Sequence, residues 1–530
     1  MMIHKIKIGV IFLITVLIGG CDDNFLETVP TDRISSAIYW QTDQDAEFAA
    51  NAIYQYLINE DVARFLEWDG MSDIAHISLT WRQNAQISLN AYDASHLGVE
   101  NEWEYDFKGI QAANRFLENV SRIEAADPDL VAQYAAEVKV LRAFLYTKMA
   151  MLWGDLPLFT REITLEESRT VSRTPVAQVW DFISTDLAEA AVDLPNTTTQ
   201  VGRITKGTAL ALKARANLFA GRWSDAAAAA KAVMDLSVYS LYPSYQDLFT
   251  YPAQNSSESI LSRQYVANIQ SHTLYTLLSP ISISNVTNSS GIVPTKEFVD
   301  AFEMTNGKAI DDPTSGFDPF DPYTNRDPRL RYSTFLLGDI LPDGSTYDPR
   351  PGSGTLDQVG STQDATATGF NVRKYFNYSD RNNPSNGGIN IMLIRYAEVL
   401  LTYAEAKIEA NDIDQSTIDA INEVRQRADV NMPPIAMGAQ ADMRKIVRNE
   451  RLVELAFEGL RYFDIRRWKT AETVLPGPIN GMTYVDGNGD LQTVIDASFV
   501  RDFNPSRDYL WPIPNTEVQL NENLGQNPNW

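Results

Sequence analysis

The segment from Asn449 to Trp468, near the C-terminal end, constrains the fold most, because it combines an apolar stripe with a row of acidic residues. Val453 and Phe457 lie one helical turn apart within an apolar stripe, which predicts an amphipathic helix. A row of glutamates follows the same four-residue spacing; its members are Glu450, Glu454 and Glu458. Like charges at this spacing repel each other, so the row requires cations packed against it.

The cations are expected to come from the arginines nearest in sequence, which are Arg451, Arg461, Arg466 and Arg467. Gly459 is expected to end the helix, because glycine readily adopts the positive φ found there. Two interpretations of the glutamates are open. Paired carboxylates serve acid–base catalysis in glycosidases, whereas a charge-balanced row joins packed helices. The joint is favoured, because carboxylates surrounded by arginines have depressed pKa values and are poor acids.

Residues 1–20 are predicted to be a signal peptide. Lys5 and Lys7 form a basic start, and the apolar run that follows is too short to span a membrane comfortably. Small residues precede Cys21, the single cysteine of the chain, in a pattern that resembles a bacterial lipobox. Cleavage there and lipidation of the thiol would leave no cysteine for an intrachain disulfide. Residues 21–40 are therefore predicted to be a lipidated tether.

The chain is strongly acidic. Its formal net charge is −25, and cleavage before Cys21 would remove Lys5 and Lys7 and make it −27. Such a protein repels the phosphates of nucleic acid, so a nucleic-acid partner is excluded. Charge also gives it no reason to bind anionic lipid headgroups. A hydrophobic content of 44% is globular and allows a large core.

Helical patterns dominate residues 41–530, which are predicted to form a single domain. Two stretches each read as a pair of helices with a short break between them. The first, Ile204–Asp235, is crowded with alanine and broken near Gly221, and the second, Tyr396–Val430, is broken near Asn411. Small residues where two helices touch are typical of tetratricopeptide-like hairpins. The expected fold class is mostly α, with a scaffold of such hairpins and a few short strands.

Two loop-rich insertions interrupt this scaffold, at about residues 67–98 and 236–390. The longer one is rich in Gly, Pro, Ser, Asn and Asp and has few helical runs. The shorter one is rich in Asn, Ser, Thr and aromatic residues. Long irregular segments inside a compact domain are often functional, so both are expected to form the ligand-binding face.

Several kinds of catalytic or metal site are not indicated. The histidines lack the spacing of metal ligands; they are His4, His76, His96 and His272. There is no phosphate-binding glycine loop and no G-x-S-x-G motif. Residues 486–490 (DGNGD) are similar to the start of a calcium loop, but Leu491 and Ala497 stand where glycine and glutamate are needed. A β-turn between strands is the favoured interpretation, and no metal is predicted.

Six motifs are spread along nearly the whole chain. They are the lipobox and acidic residues from Cys21 to Asp32, Leu141 to Pro157, Asn325 to Arg329 (NRDPR), Ile394 to Ala406, Asn449 to Trp468, and Leu510 to Pro514 (LWPIP). Together they resemble the SusD/RagB family of outer-membrane lipoproteins. No single motif decides the matter, but their number and order make the resemblance strong.

The resemblance implies a tetratricopeptide-like helical side and a loop-rich ligand face. It implies glycan capture without catalysis and without a cofactor, at the outer membrane and exposed at the cell surface. The implied partner is a SusC-like TonB-dependent transporter, which the protein would cover like a lid. Lipid on Cys21 would hold it to the membrane. In this family the segment around Glu454 is scaffold.

Candidate ligand-binding residues come from local reasoning alone, because the family varies the residues of its binding face. Sugars are usually held by flat aromatic rings, with polar side chains gripping hydroxyls. Five of the ten tryptophans lie in helical patterns. Trp40 precedes a helix cap, Trp511 lies between apolar residues and prolines, and Trp530 is at the chain end, which leaves Trp68 and Trp81 in the shorter insertion. The candidates are Trp68, Asp73, Trp81, Arg82 and Asn84, with Tyr275, Tyr323 and Tyr347 from the longer insertion.

Three alternatives to glycan capture are open. Peptide binding by a transporter lipoprotein of the same type is the first, and acidic loops would then favour basic peptides. A secreted glycosidase is the second, although no carboxylate pair has a context that would raise one pKa. A purely structural subunit of a surface complex is the third.

Overall fold

A computed structural model describes residues 39–58, 61–284 and 286–530. The predicted signal peptide, Cys21 and almost all of the predicted tether lie outside the described residues. Within these ranges, no helix combines the length and the apolar character needed to cross a membrane.

Helices make up most of the regular structure, as predicted. The α-helices in the first half of the described chain are α1 Asp43–Ile53, α2 Ala63–Gly70, α3 Gln83–Ser88, α4 Leu97–Asn119, α5 Pro128–Trp153, α6 Leu165–Ser168, α7 Val176–Asp193, α8 Lys206–Phe219, α9 Trp223–Asp235 and α10 Tyr245–Leu248. Those that follow are α11 Leu274–Leu278, α12 Ile281–Ser284, α13 Lys296–Asp300, α14 Arg329–Ser333, α15 Tyr396–Glu409, α16 Gln415–Arg425, α17 Gln440–Leu455, α18 Arg461–Arg467, α19 Ala471–Val474 and α20 Asn515–Leu520.

The strands are few and pair two by two. They are β1 Ala75–Ile77, β2 Ser259–Arg263, β3 Ile292–Pro294, β4 Thr334–Phe335, β5 Asn371–Val372, β6 Ile391–Arg395, β7 Gly477–Val485 and β8 Leu491–Arg501. The antiparallel pairs are β1–β3, β2–β6, β4–β5 and β7–β8. The turn at residues 486–490 joins β7 to β8, which confirms the predicted β-turn between strands.

The long helices pack side by side in one array. Neighbours in this array are, in order, α4, α5, α7, α8, α9, α15 and α17. The predicted breaks are confirmed: Gly221 (φ 71°) separates α8 from α9, and Asn411 (φ 54°) separates α15 from α16. Ala209, Ala216 and Ala230 are buried. Their small side chains allow neighbouring helices to approach closely.

The glutamate row is a buried joint, as favoured from the sequence. Glu454 accepts hydrogen bonds from Arg395 (2.7 Å), Arg427 (2.8 Å) and Arg329 (2.9 Å). Burial alone would raise the pKa of Glu454, but these guanidinium groups outweigh burial and hold the pKa well below its usual value. A carboxyl in this state cannot act as a general acid near neutral pH.

The expected source of the cations was wrong. The partners of the row come from distant segments: Arg329, Arg395, Arg425, Arg427 and Lys374. The arginines nearest in sequence bind elsewhere. Arg451 and Arg467 pair with Glu405 and Asp464, Arg461 pairs with Asp73, and the guanidinium of Arg466 lies 3.6 Å from the ring centre of Tyr462.

The expected helix end at Gly459 was also wrong, because α17 ends earlier at Leu455. Phe457 has φ 61°, and the chain leaves the helix before the third glutamate. Lys374 Nζ donates to the backbone carbonyls of Glu454 (3.1 Å) and Ala456 (2.8 Å). This buried ammonium satisfies carbonyls that a longer helix would have bonded internally.

Candidate functional site

Most of the predicted ligand-binding residues are buried in the structure. Trp68 is only 7% exposed, and its ring packs against Tyr462, Phe463 and Trp511 at centroid distances of 5.2–5.7 Å. It lies on α2 rather than in an open loop, and the apolar face of that short helix packs into the core. Trp68 is therefore corrected from a ligand platform to a core residue.

The polar candidates near Trp68 also have structural partners. Asp73 is buried and accepts two hydrogen bonds from Arg461, at 2.8 and 2.7 Å. Asn84 is buried on α3 and accepts a hydrogen bond from Arg64 at 3.0 Å. Arg82 pairs with Asp61 and Glu67. These contacts engage all three side chains within the protein, and the buried Asp73 and Asn84 are corrected from ligand-face residues to structural residues.

The three tyrosine candidates are buried within the longer insertion. Tyr275 donates to the carbonyl of Ile283 (2.8 Å), and Tyr347 donates to Asn371 Oδ1 (2.7 Å). Tyr323 is also buried, with its ring near that of Phe370 at 6.5 Å. Turn-rich sequence surrounds all three, but the insertion is long enough to bury its own aromatic residues. They are corrected from ligand contacts to packing residues.

Trp81 is the predicted platform that remains accessible, with 65% of its side chain exposed. The guanidinium of Arg82 lies 5.2 Å from the centre of its ring. Because Arg82 is itself fixed by Asp61 and Glu67, this cation–π contact supports the indole from one side.

Trp81 borders a groove of about 470 Å³ that we call the Trp81 groove. Three separate parts of the chain line it, within residues 76–81, 359–367 and 494–499, together with Asn288. The first two belong to the predicted insertions, and the third is strand β8. The sequence indicated loop-rich ligand faces at 67–98 and 236–390, and this groove lies where parts of both meet.

Hydrogen bonds from backbone and side-chain groups hold the three walls together. Strand β1 pairs with β3, so His76 lies opposite Val293. Asp364 Oδ1 accepts the backbone N–H of Asn288 at 2.6 Å, which joins two turns of the longer insertion. The N–H of Met482 on β7 donates to the carbonyl of Thr368 at 2.7 Å. These hydrogen bonds within the protein thus connect the walls.

Apolar and polar groups alternate along the groove. Phe499 packs against His76 with ring centroids 4.9 Å apart, and Ile495 is exposed beside it. Two carboxylates, Asp364 and Asp496, line the walls. The sequence analysis named none of these residues as ligand-binding candidates, and it mentioned only His76, as a histidine without metal-ligand spacing. The apolar positions after the turn at 486–490 were a signal of an apolar strand face.

Replacing Gly481 by Val is expected to displace β7 from its loop. A Cβ at this position would overlap the carbonyl of Thr368 and lie 2.7 Å from its Cα, and backbone yields less than a side chain. We expect a loss of about 1–3 kcal/mol in the free energy of unfolding, measured by urea denaturation. Gly487→Val is the matched control, because no atom lies within 4 Å of its Cβ. Equal stability of the two variants would contradict the close packing.

Two other cavities fit a ligand less well. One beside Trp68 and Lys148 holds only about 90 Å³, enough for a few waters. Another, of about 390 Å³, lies between α4 and residues 157–165 and lacks an exposed tryptophan. Among the described residues, no cluster of three or more His, Cys, Asp or Glu is arranged to hold a metal ion.

Comparison with known proteins identifies the family. The SusD family profile matches residues 248–530, more than half of the chain. The chain belongs to the SusD family. A second SusD-like profile, described as starch-binding associating with outer membrane, matches residues 44–218.

Individual SusD-like proteins match over nearly their whole length. SusD-like protein P2 of Formosa agariphila is 26% identical, with 99% of each chain covered. A crystal structure of a SusD-like carbohydrate binding protein from Bacteroides fragilis is 30% identical, with a TM-score of 0.83, 92% of this chain and 99% of that chain covered. Surface glycan-binding protein A from Bacteroides thetaiotaomicron, solved with laminarihexaose, shares the SusD fold at 22% identity, with a TM-score of 0.69, 92% of this chain and all of that chain covered.

Proposed function

We propose that this protein captures oligosaccharides or polysaccharides in the Trp81 groove and delivers them to a transporter without breaking bonds. The observation that carries the proposal is the exposed indole of Trp81 above a groove that also contains polar groups. An indole face packs on the C–H bonds of a sugar ring, while polar groups bind its hydroxyls. The Bacteroides fragilis relative, a carbohydrate binding protein, supports this assignment.

Capture rather than hydrolysis is supported by the contacts of the two carboxylates that line the groove. Asp364 accepts the backbone N–H of Asn288, and Asp496 accepts that of Ser498 at 3.1 Å. Both carboxylates are thus already engaged in holding turns of the chain. The glutamates of the buried joint are inaccessible to a substrate.

Delivery requires a partner and a membrane anchor. We propose that lipid on Cys21 holds the protein at the outer surface of the outer membrane, beside a TonB-dependent transporter of the SusC type. The description of the second profile, starch-binding associating with outer membrane, supports this location. Cys21→Ala should therefore move the protein from the membrane fraction to the soluble fraction. Retention of this variant in the membrane would refute the anchor.

Calorimetric titration of the full chain with polysaccharides and basic peptides tests the proposed function. Trp81→Ala should weaken glycan binding by at least about tenfold, the equivalent of ~1.4 kcal/mol, because the stacking surface is lost. Its melting temperature should stay within about 1–2 °C of the parent, since an exposed side chain contributes little to stability.

Phe320→Ala is the matched control, because Phe320 is also an exposed aromatic residue (59%) and does not line the groove. Its affinity for glycan should equal that of the parent. Release of reducing ends would instead favour a glycosidase, and heat on peptides alone would favour peptide capture. If Trp81→Ala bound glycan as tightly as the parent, the Trp81 groove would not be the binding site.

A further inference from the structure

We infer that the Trp81 groove selects uncharged glycans over anionic ones, and that His76 and Ser78 form a subsite for a sugar hydroxyl. The inference rests on the proposed function and names its substrate class. Two independent features carry it. Buried polar atoms without a protein partner line the groove, and the charges on its walls are all negative.

His76 is only 1% exposed and lies on β1, in the lining of the groove. Neither of its ring nitrogens has a hydrogen-bond partner within the described residues, and the same is true of Ser78 Oγ. Leaving such atoms unpaired costs free energy, which a ligand that pairs them would recover. The subsite therefore favours a ligand group that reaches the inner wall and can form hydrogen bonds there.

The protonation state of His76 indicates which ligand groups the subsite can bind. Burial lowers the pKa of His76 to about 3, and the nearby charge of Arg501 acts in the same direction. The imidazole is therefore neutral near pH 7, with one nitrogen as donor and the other as acceptor. A hydroxyl donates and accepts in the same way, so it complements both this imidazole and the hydroxyl of Ser78. A carboxylate or sulfate only accepts.

The walls of the groove repel anions. Asp364 and Asp496 line it, and no lysine or arginine does so among the residues described. Nearby cations are already engaged. Arg82 pairs with Asp61 and Glu67, and Arg501 donates to the backbone carbonyls of Ser72, Gly70 and Ala75. An anionic sugar would face two carboxylates with no free counter-charge. This repulsion lowers the affinity for anionic sugars relative to uncharged ones.

The test compares two sets of polysaccharides on the full chain. The uncharged probes are laminarin, xyloglucan and galactomannan, and the anionic probes are polygalacturonate and carrageenan. The affinity for at least one uncharged probe should be at least about tenfold higher than the affinity for either anionic probe at low salt. Anionic probes that bind as tightly as the uncharged ones would overturn the inference and leave glycan capture standing. Binding of no polysaccharide would overturn the proposed function together with the inference.

Charge variants test the repulsion. The double variant Asp364→Asn/Asp496→Asn keeps an acceptor oxygen for Asn288 and Ser498 but removes both charges. Its affinity for the best uncharged probe should stay within about twofold of the parent's affinity. The ratio of its affinities for uncharged and anionic probes should fall at least about threefold. The control is Asp318→Asn/Asp321→Asn, which lies outside the groove and should change neither. Unchanged discrimination in the first variant would refute the role of these carboxylates.

The hydroxyl subsite has its own test. His76→Leu removes both nitrogens from a similar buried volume and should weaken the best uncharged probe about tenfold. His76→Gln restores a donor and an acceptor and should recover most of that affinity. Melting temperatures of both variants separate binding from folding. Parent-like affinity of a folded His76→Leu variant, or failure of a folded His76→Gln variant to recover, would overturn the subsite.

Discussion

Glu454→Ala is expected to lower the free energy of unfolding by about 3–5 kcal/mol, because it leaves buried cations without their shared anion. Arg329, Arg395 and Arg427 all donate to this carboxylate and are fully buried. None of them can turn toward water when the carboxylate is removed. Urea denaturation followed by circular dichroism measures the loss.

Glu104→Ala is the matched control for this variant. Glu104 pairs with Lys108 at 2.7 Å, and both side chains are more than half exposed. Solvent screens such a pair, so its loss should cost less than about 0.5 kcal/mol. A Glu454→Ala variant as stable as Glu104→Ala would show that the buried joint does not hold the fold. Glycan binding by folded Glu454→Ala should be retained, because Glu454 does not line the groove.

The same cluster predicts how stability varies with pH. The pKa of Glu454 and that of Glu458 are both held below the usual value, because arginines, with Lys374 at Glu458, outweigh the effect of burial. The unfolded chain therefore takes up protons first as the pH falls below about 4.5. The stabilisation is complete above that pH and is progressively lost below it. Unfolding midpoints measured from pH 7 to pH 3 should show this decline.

Lys148→Met is expected to lower the free energy of unfolding by about 3–5 kcal/mol at pH 8, because it leaves buried carboxylates without their cation. Lys148 pairs with Glu102 and with Asp106 (2.8 Å), which are buried between α4 and α5. Burial raises the pKa of Asp106, and the ammonium of Lys148 opposes this rise. Without that ammonium, two carboxylates remain in the core with no cation in contact among the described residues.

Acidification should partly rescue this variant, because a protonated carboxyl is cheaper to bury than an ion. A group whose folded pKa lies above its unfolded pKa favours the folded state at lower pH, so the stability of Lys148→Met should rise from pH 8 to pH 5. The triple variant Glu102→Gln/Asp106→Asn/Lys148→Met should recover most of the loss at pH 8. Lys139→Met, which breaks a partly exposed pair with Glu189, is the control. No recovery in the triple variant would argue against charge as the cause.

Local signals in the sequence were sufficient for the scaffold. The capping box at Thr42 and Asp45 begins α1, and the alanine-rich stretches form the hairpins whose breaks were placed at Gly221 and Asn411. These features depend on residues a few positions apart, which propensity and periodicity describe well. The role of Glu454 as a joint was also predictable, because a row of like charges needs a buried counter-charge.

Long-range contacts were not predictable. The arginines that bind Glu454 lie in three other parts of the chain, so sequence proximity pointed to the wrong ones. Trp68 and Tyr347 fall in stretches that the sequence assigned to loop-rich insertions, yet Trp68 lies on α2 and tertiary packing buries both residues. The Trp81 groove combines three segments, and no window of sequence contains more than one of them.

The buried joint and the groove use separate residues. The joint draws Arg329, Lys374 and Arg395 from the longer insertion and the strand after it, so it fixes that insertion to the helical array. None of the residues that line the groove belongs to it. On the proposed function, substitutions at Trp81, Ile495 or Phe499 would change which ligand the groove binds without removing any contact of the joint. Specificity could then change without a loss of the stability that the joint provides.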